Sequence, residues 1–319
     1  MKKKEVENLV YVPAFKTKEV PGVTFGGFSL DRHMASENKM PLRRKTLPEA
    51  MISCADKGKG WHLITAYQWA SMAHFWKKAK SLDELDFDPH AETWQWVMGL
   101  FMEDDGHVDV LGSLDVSYTG SPYGRGTISG SGNSPILAVD GAGINWLKKW
   151  ETGAFRGMMA YIAEANSARG GLYHIVDSKK DSLQLQIASS PGNGPATFCI
   201  VNHVPIDMTK GMNTGDHITA LSNDNDLKPF AIPGKTRRDE DPLFGNDHYW
   251  FYKSRIMRAA FRGGAFDDEA DAGVFALYLN TAPSNSVCGV GFRAGKAIRN
   301  LVFLKICFDI MALGRRSMA

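Results

Sequence analysis

The segment Arg262–Ala294, RGGAFDDEADAGVFALYLNTAPSNSVCGVGFRA, decides how the rest of the chain is read. Its core, VFALYLN, alternates as a strand does. Phe275, Leu277 and Leu279 fall on one side, and Ala276, Tyr278 and Asn280 on the other. The first set is uniformly large and apolar, which marks a core face. The second is mixed. Gly263, Gly264, Gly273, Pro283 and Gly291 punctuate the stretch and set its backbone shape. Phe292 and Val290 anchor its end. A rigid frame thus carries side chains of unlike chemistry.

Outward from this segment, the chain of 319 residues is 44% hydrophobic and 23% charged, a globular profile that reads as one domain, residues 1–319, with insertions. A net charge of +2 is no electrostatic footprint for nucleic acid. The start, MKKKEVENLVYVPAF, lacks the apolar run of a signal peptide, which implies synthesis in the cytoplasm. LVFLKICFDIMALG near the end is interrupted by Lys305 and Asp309 and is too short to span a bilayer, so no membrane insertion is expected. Cys54, Cys199, Cys288 and Cys307 form no CxxC pair and read as free thiols.

Two helices are expected early. From Leu47, Pro48 suits a first turn, Ala50, Met51, Cys54 and Ala55 form a stripe, and Gly58 and Gly60 end it. Thr65 then caps a helix carrying Trp69, Met72, Ala73 and Trp76. Leu111 to Ser134 is dense in Gly and Ser and reads as a long loop. Short strands follow in ILAVDGAGINWL, GLYHIVD, LQLQIA and ATFCIVNHV. The polar stretch from Leu221 to Pro242 reads as a surface loop or linker. Helices first and short antiparallel strands with long irregular loops later predict an α+β domain.

Motif by motif, the chemistry is sparse. GRGTISGSG (Gly124–Gly132) lacks a dinucleotide-binding spacing, and GVGFRAGKA (Gly289–Ala297) lacks the Ser or Thr of a P-loop. MEDDGHVDV (Met102–Val110) and SNDNDL (Ser222–Leu227) do not fit a calcium loop and read as solvated turns. The nine histidines form no HxxxH or HxH pair, so neither metal nor cofactor is expected. Trp94 and Trp96 read as core anchors that could stack on a ligand.

RGG, then a variable stretch, then PSN and GFR resembles the C-terminal signature of the formylglycine-generating enzyme family, a variant of the C-type lectin fold. FGGFSLDRHMAS (Phe25–Ser36), HLITAYQWASMA (His62–Ala73) and ISGSGNSPILAVDGAGI (Ile128–Ile144) are similar to that family's early strand, second helix and central loop. The resemblance implies a C-type lectin-like α+β fold. At the positions that match the family's catalytic cysteines stand Asp268 and Gly273, so an oxidase activity is not implied.

AGVFALYLNTAPSN with GFRA resembles more closely the variable proteins of diversity-generating retroelements. In these a reverse transcriptase errs at template adenines, turning AAY codons into NNY. That resemblance implies a non-enzymatic protein that binds a protein or cell-surface ligand through diversified side chains, on a phage virion or a cell surface. The candidate variable residues are Ala265, Phe266, Asp267, Asp268, Asp271, Ala276, Tyr278, Thr281, Val287, Cys288 and Gly289. None is Lys, Glu, Gln, Met or Trp, which NNY cannot encode. Tyr278 and Phe266 are the expected aromatic anchors. Asp267, Asp268 and Asp271 make the site acidic and favour a basic or polar partner. An oxidase on the same fold and a structural virion or surface component are the alternatives.

Overall fold

Thr46 and Glu49 close a reciprocal cap: Thr46 N donates to Glu49 Oε2 (2.8 Å) and Glu49 N to Thr46 Oγ1 (3.3 Å). With Pro48 in the first turn, this starts helix α1, Leu47–Asp56. Helix α2, Ala66–Ala79, starts the same way, with Gln68 N donating to Thr65 Oγ1 and Thr65 N to Gln68 Oε1. Both helices agree with the sequence reading, and they are the only two α-helices among the described residues. The computed structural model describes residues 9–37, 40–58, 60–79, 93–111, 123–130, 134–139, 155–164, 170–179, 181–186, 193–238, 247–264 and 273–296.

Apart from one 3-10 turn, everything else regular among the described residues is strand. In chain order these are β1 Leu9–Val12, β2 Phe28–Asp31, β3 Ser36–Glu37, β4 Met40–Pro41, β5 Trp61–Leu63, β6 Trp94–Met102, β7 Val108–Leu111, β8 Tyr123–Ser129, β9 Ile136–Val139 and β10 Met159–Glu164. There follow β11 Gly170–Lys179, β12 Ser182–Gln186, β13 Gly194–Val204, β14 Asp216–Leu221, β15 Pro233–Arg237, β16 His248–Phe251, β17 Arg258–Gly263, β18 Gly273–Thr281, β19 Val290–Gly291 and β20 Ala294–Lys296.

Apart from the two-stranded β3–β4 ladder, the strands make three assemblies. A four-stranded sheet, β1-β2-β20-β5, joins the N-terminal region to the end of the opening segment. Six antiparallel strands, β10-β11-β12-β9-β8-β13, close into a barrel because β13 also pairs with β10. From β13 the ladder continues into an open sheet, β7-β6-β17-β18-β16-β14-β15, in which β16 and β18 run parallel. β13 is therefore a shared wall. Successive side chains of a strand face opposite ways, so Phe198 and Ile200 enter the barrel interior while Cys199 and Val201 join the larger core.

This overturns the α+β C-type lectin expectation. Half of the described residues are strand and 12% are helix, with a closed barrel beside the sheet. The misreading has two sources. The Gly- and Ser-rich stretch from Leu111 to Ser134 contains β8, and its glycine serves strand packing: a Cβ on Gly126 would lie 2.2 Å from the Ala138 carbonyl oxygen of β9. The polar stretch from Leu221 to Pro242 contains a 3-10 turn, Lys228–Phe230, and the strand β15, with Phe230 and Ile232 fully buried. Burial of two large apolar side chains outweighs the polar flanks.

The larger core lies between the open sheet and the helices. α2 packs on the sheet through Trp69, whose Nε1 donates to Val274 O (2.7 Å), and through His74 and Trp76 against Phe275. Leu277 and Leu279 are fully buried on that side. No helix among the described residues is long and apolar enough to cross a membrane.

Candidate binding face

The strand at issue, β18, lies between β17 and β16 in the open sheet. Phe275, Leu277 and Leu279 point to the core, as the alternation predicts. Tyr278 points the other way and is half-buried. Its ring stacks on Phe261 at 4.5 Å and meets Trp94 at 5.6 Å and Trp250 at 5.9 Å. The register explains this, since Phe261 and Trp250 are its direct neighbours on β17 and β16. Trp250 stacks in turn on His248 (4.9 Å), and His248 meets His217 of β14 (4.2 Å). A row of rings thus crosses five strands with Tyr278 near its middle. Asn280 Nδ2 donates to the Tyr278 hydroxyl (3.2 Å).

The loop after β18 borders this row. Thr93, next to Trp94, donates its hydroxyl to Gly289 O. Arg44 N donates to Val287 O (3.3 Å) and Leu47 N to Pro283 O (3.0 Å), which holds the loop against the N-terminal region. Val287 and Gly289 are half-buried and Cys288 is exposed. A Cβ on Gly289 would meet nothing within 4 Å, so a side chain fits there. Thr281 is half-buried at the strand end, opposite Ala259.

The first part of β18 is built differently. Gly263 and Gly264 both adopt positive φ, 95° and 152°. Arg262 is fully buried, and its guanidinium donates to Phe275 O (2.9 Å), Phe230 O (2.7 Å) and Ala231 O (3.1 Å). Burial lowers it to about 9. The buried carboxylate of Asp247 accepts from Phe275 N (2.7 Å). Burial pushes Asp247 up to about 7 against the pull of its backbone hydrogen bonds and of Arg262. A Cβ on Gly273 would lie 1.8 Å from Asp247 Oδ1. Ala276 is fully buried, which corrects the expectation that it faces outward with Tyr278: the ladder between β17 and β18 shifts register between Arg262 and Gly263, and the alternating face closes there.

Of the predicted positions, Tyr278 is half-buried within the row of rings, Val287, Cys288 and Gly289 lie on the loop after β18, Thr281 sits at the strand end, and Ala276 is core. Ala265, Phe266, Asp267, Asp268 and Asp271 lie outside the described residues. Trp250, His248 and His217 were not foreseen. The alternation in HYWF, with His248 and Trp250 on one side, was the available signal. Trp96 is fully buried, its Nε1 donating to Lys45 O (2.9 Å), so only Trp94 adjoins Tyr278.

A cleft of about 400 Å3 lies elsewhere, lined by Asp31, Met34, Cys54, Lys57 and Phe292 among others. Burial pushes the Cys54 and Cys199 thiols up, which makes them poor nucleophiles. Among the described residues a single group, Glu103, Asp109 and His203, has donor atoms close enough to share a metal ion.

Comparison with protein-family models finds no match, and comparison with curated proteins finds none.

Proposed function

We propose that this chain is a non-enzymatic binding protein whose ligand-facing residues, around Tyr278 and the Val287–Gly289 loop, are diversified by a retroelement. The partner is a protein or cell-surface ligand, met on a phage virion or a cell surface. The observation that carries the reading is the half-buried Tyr278 amid Trp94, Phe261 and Trp250, bordered by the loop that holds three candidate variable positions. Aromatic side chains on a rigid sheet supply contact area at low entropic cost, as in other binding surfaces. The sequence resemblance adds the diversification, and the residue types at the candidate positions agree with NNY codons.

An oxidase reading needs a pair of reactive cysteines. At one of the two matching positions, Gly273, the space for any side chain is filled by Asp247. The test is the DNA of the locus. The expected result is an imperfect repeat of the 262–294 coding segment beside a reverse-transcriptase gene, with AAY in the repeat where this chain has NNY. No repeat, or differences at template positions other than adenine, sinks the diversification. Conversion of a cysteine to an aldehyde in a sulfatase-type peptide, seen by mass spectrometry, would revive the oxidase.

A further inference from the structure

The hairpin β6–β7 turns through Glu103, Asp104, Asp105 and Gly106, closed by Glu103 N donating to His107 O (2.8 Å). The sequence alone marks it as a solvated acidic turn. In the fold, β13 arrives from the barrel and pairs with β7 so that His203 stands directly opposite Asp109. On the other side Asp109 stands opposite Phe101. Glu103, two residues beyond Phe101, falls on the same face. The three side chains therefore converge. His203 Nδ1 lies 3.1 Å from Glu103 Oε1 and 3.4 Å from Asp109 Oδ1, and one donor atom from each residue lies within 4.8 Å of the others.

Asp109 is the odd member. Its side chain is fully buried, and neither carboxylate oxygen accepts a hydrogen bond of good geometry, His203 Nδ1 at 3.4 Å from Oδ1 being a long contact. A buried carboxylate without donors costs several kcal/mol in general, so native structures pair it or place it on a cation. His107, the next nearest imidazole, is turned to Asp105, its Nδ1 2.8 Å from Oδ2.

We propose that Glu103, Asp109 and His203 bind a divalent transition-metal ion, with Zn2+ the best match. Two carboxylate oxygens and one imidazole nitrogen are the donors of that class, whereas Ca2+ and Mg2+ take oxygen ligands. Ligands at about 2.0–2.2 Å from a tetrahedral Zn2+ stand roughly 3.4 Å apart, close to the separations already present. Glu103 and His203 are 36% and 41% exposed, so the ion enters from solvent and keeps an open position for water. Its role is a strut. It ties β13, the wall shared with the barrel, to the β6–β7 hairpin of the open sheet.

The test uses the full chain, stripped of metal and titrated with Zn2+ by calorimetry, with thermal unfolding alongside. The expected result is a Zn2+ site at one ion per chain, with a rise in the unfolding midpoint that Ca2+ and Mg2+ at equal concentration do not produce. Asp109→Asn and His203→Ala should each weaken it by about tenfold or more and abolish the rise. His203→Ala changes a partly exposed side chain and decides the matter if Asp109→Asn does not fold. Absence of Zn2+ binding, undiminished binding in His203→Ala, or Ca2+ binding as tight as Zn2+ overturns the proposal.

Discussion

At Gly273 a Cβ would sit 1.8 Å from the Asp247 carboxylate, whereas at Gly289 it would meet nothing within 4 Å. Both glycines belong to the same segment. The first lies in a stretch closed on every side: Arg262 reaches across it to Phe230 and Ala231, Asp247 fills the space beside it, and Ala276 is buried. The second lies on a loop tied by backbone hydrogen bonds while its side-chain space is free. A loop held through its main chain keeps its shape when side chains change. A strand held through buried charges does not. The difference separates where this segment tolerates diversity from where it cannot.

Within β18 the contrast is between Leu277 and Tyr278. Leu277→Ala removes a fully buried side chain and should cost about 2–5 kcal/mol of stability, read from the urea midpoint. A loss under 1 kcal/mol would mean the register is misassigned. Next in size, Gly273→Ala and Ala276→Leu should each cost about 1–3 kcal/mol, because the added atoms have no space. Free acceptance of either would erase the contrast with Gly289.

Asp247 sharpens the same contrast through pH. Its carboxyl is raised in the folded chain to about 7, so between roughly pH 4 and 7 the native state holds a proton that the unfolded chain has released. Its contribution is complete below pH 4 and is lost as pH rises towards 7. His62 and His74, lowered to about 4 by burial, act in the opposite sense between pH 4 and 6.5. The measurement is therefore a difference: the stability of Asp247→Asn relative to the parent should increase from pH 4 to pH 7. A flat difference would show that Asp247 is not buried as described.

Tyr278→Ala loses stacking on Phe261 and should cost about 1 kcal/mol of stability, well below Leu277→Ala. Its larger effect should be on the cognate partner, about 2 kcal/mol weaker in a binding assay, while Tyr278→Phe keeps most of the affinity. Equal binding by parent and Tyr278→Ala would remove Tyr278 from the contact. Smallest of all, Gly289→Ser and Cys288→Ser should stay within about 0.5 kcal/mol of the parent in unfolding.

The two helices were legible because capping and helical stripes are written within a few residues: Thr65 with Gln68, and Pro48 with Ala50, Met51 and Cys54. The core side of β18 was legible for the same reason, since Phe275, Leu277 and Leu279 alternate without exception. Ala276 was not, because a methyl group suits either side of a strand and the register shift near Gly263 closes its face. The barrel was hidden behind glycines and serines whose small size serves close strand contact as well as turns.

The amino-acid order by itself determined where helices begin and which side of β18 is apolar. Only the tertiary structure decided that β13 would pair with β10 to close a barrel, that Trp94, Phe261 and Trp250 would surround Tyr278, and that His203 would stand opposite Asp109. Each of these depends on the register between strands distant along the chain. Local periodicity says which side a residue faces, but a register is chosen by the packing of the whole sheet.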